Sequence, residues 1–137
     1  MKNLSIALTT KFTETVGGLH NSLYLLIPNK LYKERAKQTA VLPYAVYHIV
    51  SDVPEWTFNT FFEKVRIQFD LYSDQESSSQ VEDMYTALKA LFDWCTLAIT
   101  GNVHVYMRRE LARLSRDPVD DCWAYQIDYE IMTERNP

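Results

Sequence analysis

One stretch of the chain, residues 79–95, places its apolar side chains three or four positions apart. That spacing puts them on one side of a 3.6-residue helix, while polar side chains occupy the other side. Ser79 and Glu82 stand three residues apart, which predicts a capping box at the helix start. The pattern predicts a helix that lies on a sheet. Its apolar stripe consists of Val81, Met84, Tyr85, Leu88, Leu91, Phe92 and Cys95.

Strand patterns precede this helix. Residues 64–73 alternate apolar and polar side chains, which predicts a strand with one buried face. Residues 44–51 are rich in aromatic and β-branched side chains, which favours a strand buried on both faces or nearly so. Residues 52–62 contain Pro54 and several aromatic residues, and they predict a hairpin connection with exposed aromatic side chains.

The segment after the helix predicts an antiparallel hairpin. Residues 103–114 indicate a long strand, and residues 123–131 show a second regular alternation. Asp117 and Pro118 predict a turn, because aspartate accepts from following backbone amides and proline presets φ. Residues 133–137 are expected to fray. The side chains predicted to share a face are Val105, Met107 and Leu111 on the first strand, and Trp123, Tyr125, Ile127, Tyr129 and Ile131 on the second.

The N-terminal part of the chain has weaker patterns. Residues 4–16 carry a moderate apolar stripe and predict a helix, which Gly17 and Gly18 would end. Residues 23–27 form a short apolar run that fits a strand or a packed loop. Residues 30–40 are polar and basic, and they indicate an exposed loop or a strand edge.

These elements together predict an α+β fold in a single domain over residues 1–137. We expect a mostly antiparallel sheet of about four to five strands, with the central helix (residues 79–95) packed on one face and an N-terminal helix. With 137 residues, folding buries roughly two-thirds of the surface of the unfolded chain, which is enough for a substantial core.

The net charge of the chain indicates which classes of function to expect. A formal net charge of −4 argues against a protein whose main task is to bind nucleic acid. The clusters of charge fit solvated faces, or patches of opposite sign that meet between copies of the protein. Basic residues gather at Lys30, Lys33, Arg35 and Lys37 and at Arg108, Arg109, Arg113 and Arg116; acidic residues gather at Asp117, Asp120, Asp121, Asp128 and Glu130.

Signals for a membrane or for secretion are not found in the sequence. No apolar run approaches the ~20 residues that a membrane helix needs. The N-terminus lacks the pattern of a secretory signal, so Cys95 and Cys122 are expected to be reduced thiols. We therefore expect no contact with a membrane.

Candidate chemistry is scarce. His20, His48 and His104 lie in no known signature, and Cys95 falls on the apolar stripe of the predicted helix, where a structural role is favoured. The chain has no phosphate-binding glycine loop, nucleophile elbow or HExxH motif. Asp117, Asp120 and Asp121 could bind a cation, but a solvated turn explains them better. We expect no enzyme activity, no cofactor and no metal.

The aromatic residues of positions 54–62 exceed what a solvated loop requires. They could fold back on the sheet edge, or they could pack on a partner subunit. Arg108 and Arg109 should point to opposite faces of their strand, so at least one should be exposed or paired across an interface. The aromatic residues concerned are Trp56, Phe58, Phe61 and Phe62.

The order of these segments resembles that of a family of tail proteins from long-tailed bacteriophages and prophages. These are the small tail completion or tail terminator proteins. The resemblance rests on LPYAVYHIVSDVPEWTF (residues 42–58), VRIQFDLYSD (65–74), VEDMYTALKALFDW (81–94) and the closing hairpin. It covers roughly residues 4–133. The family has no catalytic signature, so the resemblance assigns no active site.

The resemblance implies a ring, typically of six copies, at the head-proximal end of the tail tube. Such a ring ends tube growth and joins the tail to the head, in contact with the tail tube protein and the head connector or stopper protein, while DNA passes through without specific binding. The virion tail, assembled in the bacterial cytoplasm, is the location it implies. The polar side of the helix, with Glu82, Asp83 and Asp93, is a candidate outer wall. The residues we nominate for subunit or tube contacts are Trp56, Phe58, Arg108, Arg109 and Arg113.

Two alternatives stay open. A neck or head–tail connector protein would share the small α+β architecture and the ring symmetry. A small ligand-binding or enzymatic domain would instead be marked by a perturbed histidine or cysteine in a deep pocket.

Overall fold

The computed structural model describes residues 2–119 and 121–135, which form an α+β fold with two sheets. The larger sheet has five strands in the order β3-β4-β5-β7-β6; β3 and β4 are parallel, and the other neighbours are antiparallel. The α-helices are α1 (Lys2–Thr13), α2 (Ser22–Leu26) and α3 (Ser79–Phe92). The strands are β1 (Thr15–Val16), β2 (Leu19–His20), β3 (Leu31–Lys33), β4 (Tyr44–Trp56), β5 (Phe61–Ser73), β6 (Asn102–Asp117) and β7 (Cys122–Arg135).

The alternation predicted for β5 and β7 is confirmed. The alternating apolar side chains of β5 from Val65 to Leu71 are fully buried. On β7, Ile127, Tyr129 and Ile131 are fully buried beside them, whereas Trp123 and Tyr125 are half-buried. The two strands pair with each other in the middle of the sheet. The predicted antiparallel pairing of β6 with β7 is also confirmed. The fully buried residues of this pair are Val65, Ile67, Phe69, Leu71, Ile127, Tyr129 and Ile131.

Helix α3 lies on one face of the sheet, as its stripe predicts. Met84, Leu88 and Phe92 are completely buried. The ring of Phe92 stacks on Phe69, with centroids 5.0 Å apart, and Tyr129 meets Phe69 edge-on. The helix joins β5 to β6 across the intervening β7. We call the opposite side of the sheet the open face. Its side chains are those that alternate along each strand with the buried residues of the core.

The ends of α3 differ from the prediction. The N-cap residue is Ser78, whose side chain makes no capping hydrogen bond, so the predicted capping box is wrong. The helix ends at Phe92, because Asp93 is extended and Trp94 takes a left-handed φ of 54°. Cys95 therefore lies beyond the helix rather than on its stripe.

The segment after α1 also differs. Gly17 and Gly18, with φ of 62° and 81°, form the turn of the small β1–β2 hairpin rather than the end of a helix. Two positive φ values in succession are what a tight hairpin turn requires. The apolar run after it forms α2, neither a strand nor a packed loop, because Asn21 caps it by accepting from the Tyr24 amide at 2.8 Å. The predicted strand edge in residues 30–40 is confirmed by β3.

Strand β6 does not keep the predicted alternation. Register shifts between His104 and Tyr106 and between Arg109 and Leu111 insert extra residues. Each β-bulge moves the following side chains to the other face. Met107 is therefore fully buried, whereas Val105 and Leu111 are exposed by 46% and 54%. The three residues do not share a face.

Strands β4 and β7 are longer than predicted. In β4 the buried part is confined to residues 45–47, and the strand continues through exposed positions to Trp56. In β7 the chain stays paired as far as Arg135, so the prediction of fraying is wrong for Thr133, which is 2% exposed. Residues 136–137 lie outside the described residues. Among those that are described, no helix is long and apolar enough to cross a membrane.

Replacing Leu88 with alanine should lower the free energy of unfolding by about 2–5 kcal/mol, because the side chain is completely buried between α3 and the sheet. Lys89→Ala is the matched control on the same helix. Its ammonium lies 4.4 Å from the Tyr85 ring centroid at a partly exposed site, so its loss should cost about 1 kcal/mol or less. Urea unfolding measures both, and equal costs would contradict the assignment of the stripe.

Candidate assembly interface

The turn of the β4–β5 hairpin lies at one end of the sheet. Strand β3 supports only the first residues of β4, as far as the pair Lys33–Tyr47, and β7 supports β5 from Phe62 onward. The turn is closed by a hydrogen bond from the Thr57 amide to the carbonyl of Thr60, at 3.0 Å. We call residues 56–61 the hairpin tip.

The hairpin tip exposes aromatic surface, as predicted for this region. Phe58 is 105% exposed and Trp56 is 71% exposed. Phe61 meets Trp56 edge-on, with ring centroids 4.7 Å apart, and is itself 45% exposed. Phe58 does not fold back on the sheet edge. Contact of these side chains with a partner stays a prediction.

Arg108 lies on the open face, opposite to Arg109, as predicted. Its guanidinium is 2.7 Å from the carboxylate of Glu110 and 2.7 Å from that of Glu130. Burial alone would raise the pKa of Glu130, but hydrogen bonds from Tyr106 and the charge of Arg108 outweigh it and lower that pKa. Arg108 is thus neutralised within its own chain.

Arg109 points toward α3. Its guanidinium lies 3.3 Å from the carboxylate of Asp93 and donates to the hydroxyl of Tyr85. The other oxygen of Asp93 accepts from Tyr129, whose pKa is raised by burial and by this carboxylate. Arg109 therefore belongs to the contact between α3 and the sheet, and Asp93 is engaged there rather than free on an outer wall.

Arg113 is the least engaged of the three nominated arginines. Among the described residues, the one side-chain hydrogen bond of Arg113 goes to Gln126, at 3.4 Å, and the side chain is exposed. It lies far along β6 from the residues that pair beside the hairpin tip, Asn102 with Arg135. The structure therefore does not bring the five nominated residues together: Trp56 and Phe58 form one site, and the arginines lie on both faces of β6.

The open face also carries a row of tyrosines that sequence reasoning missed. Tyr44 stands between Tyr32 and Tyr72, with ring centroids 5.9 Å and 5.5 Å away. Burial in this row raises the pKa of Tyr72 to about 12. Alternation on the two strands could have identified the row, but predicting burial of residues 44–51 on both faces hid it. Beside it, Gln68 donates to Asp70 at 3.0 Å.

Cys95 and His104, two of the residues considered for catalysis, make contacts within the fold. Burial raises the pKa of the Cys95 thiol to about 11, and its sulfur lies 3.6 Å from that of Met107. Burial lowers the pKa of His104, whose Nδ1 accepts from the Leu97 amide at 3.3 Å. The described residues contain no group of three His, Cys, Asp or Glu able to hold a metal ion, and Asp120 lies outside them.

The two arginines Arg109 and Arg113 should respond differently to charge reversal. Arg109→Glu should lower the free energy of unfolding by about 1–3 kcal/mol. The substitution places a second carboxylate beside Asp93 and removes the hydrogen bond that the hydroxyl of Tyr85 accepts. Arg113→Glu should change it by less than about 0.5 kcal/mol. Thermal or urea unfolding measures both changes. Equal stabilities of the two variants would show that Arg109 does not stabilise the contact between α3 and the sheet.

Comparisons with known proteins agree with this architecture. A family model described as tail completion protein gp17 matches residues 20–134. The fold is similar to a chain in a structure titled virion of native gene transfer agent (GTA) particle, with a TM-score of 0.77 and 10% identity over 96% of this chain and 94% of that chain. No curated protein matches the sequence. The chain belongs to the tail completion protein gp17 family, and it is a structural component of a phage tail and of the virion.

Proposed function

We propose that this chain, as a single domain over residues 1–137, forms a ring that caps the head-proximal end of the tail tube, ends tube growth and joins the tail to the head. The family supports the tail completion role. The observation that carries the proposal is the hairpin tip, whose Phe58 is 105% exposed. Exposed apolar surface of this kind is typical of sites that a partner protein covers.

The energetics favour a partner at the hairpin tip. Burying one large apolar side chain stabilises a contact by about 1.5–3 kcal/mol. Trp56 and Phe58 at one tip can therefore supply a substantial anchor, and a ring repeats that anchor once per copy. Val53, exposed by 52%, extends the apolar surface along the hairpin. We assign this surface to the tail tube protein.

The remaining surfaces suit the other tasks of a cap. Glu82 and Asp83 are exposed on α3, so they remain candidates for an outer wall. The net charge of −4 fits a channel that lets DNA pass without holding it. The head connector or stopper protein would meet the ring on the side away from the tube. The proposal needs no catalytic residue, cofactor or metal.

Loss of the gene tests the function directly. A phage that lacks this protein should produce overlong or unjoined tails, seen by negative-stain microscopy of lysates, and a plasmid copy of the gene should restore joined tails. Normal tails beside heads that leak DNA would contradict the cap and indicate a neck or connector protein. Tails that are joined and of normal length would contradict both roles.

Phe58→Ser should abolish tail joining while leaving the fold intact. Its ring contacts no other ring in the described chain and is fully exposed, so unfolding should change by less than about 0.5 kcal/mol. Leu19→Ser is the matched control, because Leu19 is 75% exposed but lies in the β1–β2 hairpin. Complementation of the gene deletion, with counts of joined particles, measures both. Joining equal to wild type with Phe58→Ser would remove the hairpin tip from the interface.

A further inference from the structure

The two basic clusters of the sequence differ in the fold. On β6, Arg108, Arg109 and Arg116 each face a carboxylate of their own chain within 3.3 Å. The other cluster follows β3. Apart from Lys30, which is half-buried and donates to the carbonyl of Val41 at 3.3 Å, its cations are exposed and form no salt bridge with any carboxylate that the structure describes. We call its exposed cations, Lys33, Arg35 and Lys37, the basic loop.

The backbone holds the basic loop in a concave shape. The Glu34 amide donates to the carbonyl of Tyr47 at 2.7 Å, and the Arg35 amide donates to that of Lys33 at 2.8 Å. Residues 33–38 line a concavity of about 800 Å³. Glu34 is the one acidic residue of that lining among the described residues, so three cations and one carboxylate leave a net charge of +2 there. A concavity with net positive charge attracts an acidic partner.

An acidic surface of matching character lies elsewhere on the same chain. Asp74, Glu76 and Glu82, at the start of α3, are exposed and face no cation within salt-bridge distance among the described residues. The Glu76 carbonyl accepts from the indole of Trp123 at 3.1 Å, which places the segment over the start of β7. We call Asp74, Glu76 and Glu82 the acidic corner.

The two surfaces lie toward opposite edges of the sheet. The basic loop follows the edge strand β3, whereas the acidic corner is tied through Arg116 to the other edge strand, β6. A contact between different surfaces of identical copies is heterologous, and a heterologous contact can close into a ring.

Both edges are poorly suited to joining copies by strand addition. Strand β6 has two register shifts, and β4, which β3 leaves uncovered beyond Tyr47, has one between Ile49 and Ser51. Pro54 on β4 also lacks a backbone donor. Bulges and prolines are devices that prevent edge-to-edge pairing. Contacts between copies at these edges should therefore be made by side chains.

We propose that the basic loop of one copy binds the acidic corner of the next, and that this charge contact sets the head-to-tail order of the ring. The inference rests on the proposed function for the ring itself, but it assigns the contact to residues that were not nominated from the sequence. This assignment moves Glu82 from the outer wall to the contact between copies and leaves Asp83 on the wall. The hairpin tip then remains free for the tube.

Crosslinking of the full chain detects the contact directly. Equal amounts of ¹⁴N- and ¹⁵N-labelled protein are mixed at low ionic strength and treated with a carbodiimide, which joins amines to carboxylates without a spacer. Mass spectrometry should find mixed-isotope peptides that link Lys33 or Lys37 to Asp74 or Glu76. Mixed-isotope links confined to other surfaces would overturn the proposal.

Charge reversal tests whether the contact orders the ring. Lys33→Glu with Lys37→Glu reverses the basic loop, and Asp74→Lys with Glu76→Lys reverses the acidic corner. Either pair alone should weaken self-association by about tenfold or more in sedimentation velocity and should fail to complement the gene deletion. A one-to-one mixture of the two variants should restore both, because every contact in an alternating ring is again between opposite charges.

The control and the contrary results are equally specific. Arg66→Glu with Lys89→Glu makes the same change of net charge outside both surfaces, and it should associate as wild type does. Single-surface variants that complement fully, or a mixture that fails although each variant folds, would overturn the proposal. Loss of binding to duplex DNA with self-association unchanged would reassign the basic loop to nucleic acid. Failure of the ring function itself is separate, since it shows as joined tails of normal length without the gene.

Discussion

The packing of α3 on the middle of the sheet is the contact on which the other features depend. Its stripe covers the buried faces of β5 and β7, with Phe92 stacked on Phe69 and Leu88 completely buried. Because α3 joins β5 to β6 across β7, its docking also fixes where the closing hairpin lies. Arg109, Asp93 and the surfaces near the start of α3 take their positions from this one contact.

Periodicity along the sequence predicted the parts of the fold in which local pattern and packing agree. The stripe of α3 and the alternation of β5 and β7 are strong because each element buries one face. The alternation of strand β6 was predicted wrongly, because its two bulges depend on pairing with β7 and leave no signal in the local sequence. Gly17 and Gly18 misled for a different reason: glycine permits positive φ both after a helix and in a hairpin turn, and only the pairing of β1 with β2 distinguishes the two.

The candidate interface was predicted less completely than the fold, and the reason is electrostatic. Sequence shows where cations gather, but the partner of Arg109 lies in the segment that ends α3, and the partner of Arg108 lies on β7. Whether a cluster is neutralised therefore depends on tertiary pairing. Arg108, Arg109 and Arg116 of β6 resemble the basic loop in sequence, but they differ from it because each pairs with a carboxylate of its own chain. The exposed aromatic residues of the hairpin tip were easier to predict, since a solvated loop does not require several aromatic residues around its turn.

In the proposed assembly, the residues that stabilise the fold differ from those that contact partners, which would suit a protein that must wait for its partners. The buried core is formed mainly by α1, α2, α3 and the larger sheet, and it includes no residue of the hairpin tip or the basic loop. The electrostatic attraction between the basic loop and the acidic corner acts over a long range and depends little on exact geometry. It can therefore orient copies before the contact forms. The aromatic tip has short range and acts only when a matching surface is present. An ordering step driven by charge, followed by anchoring on the tube, would keep isolated copies from associating without order.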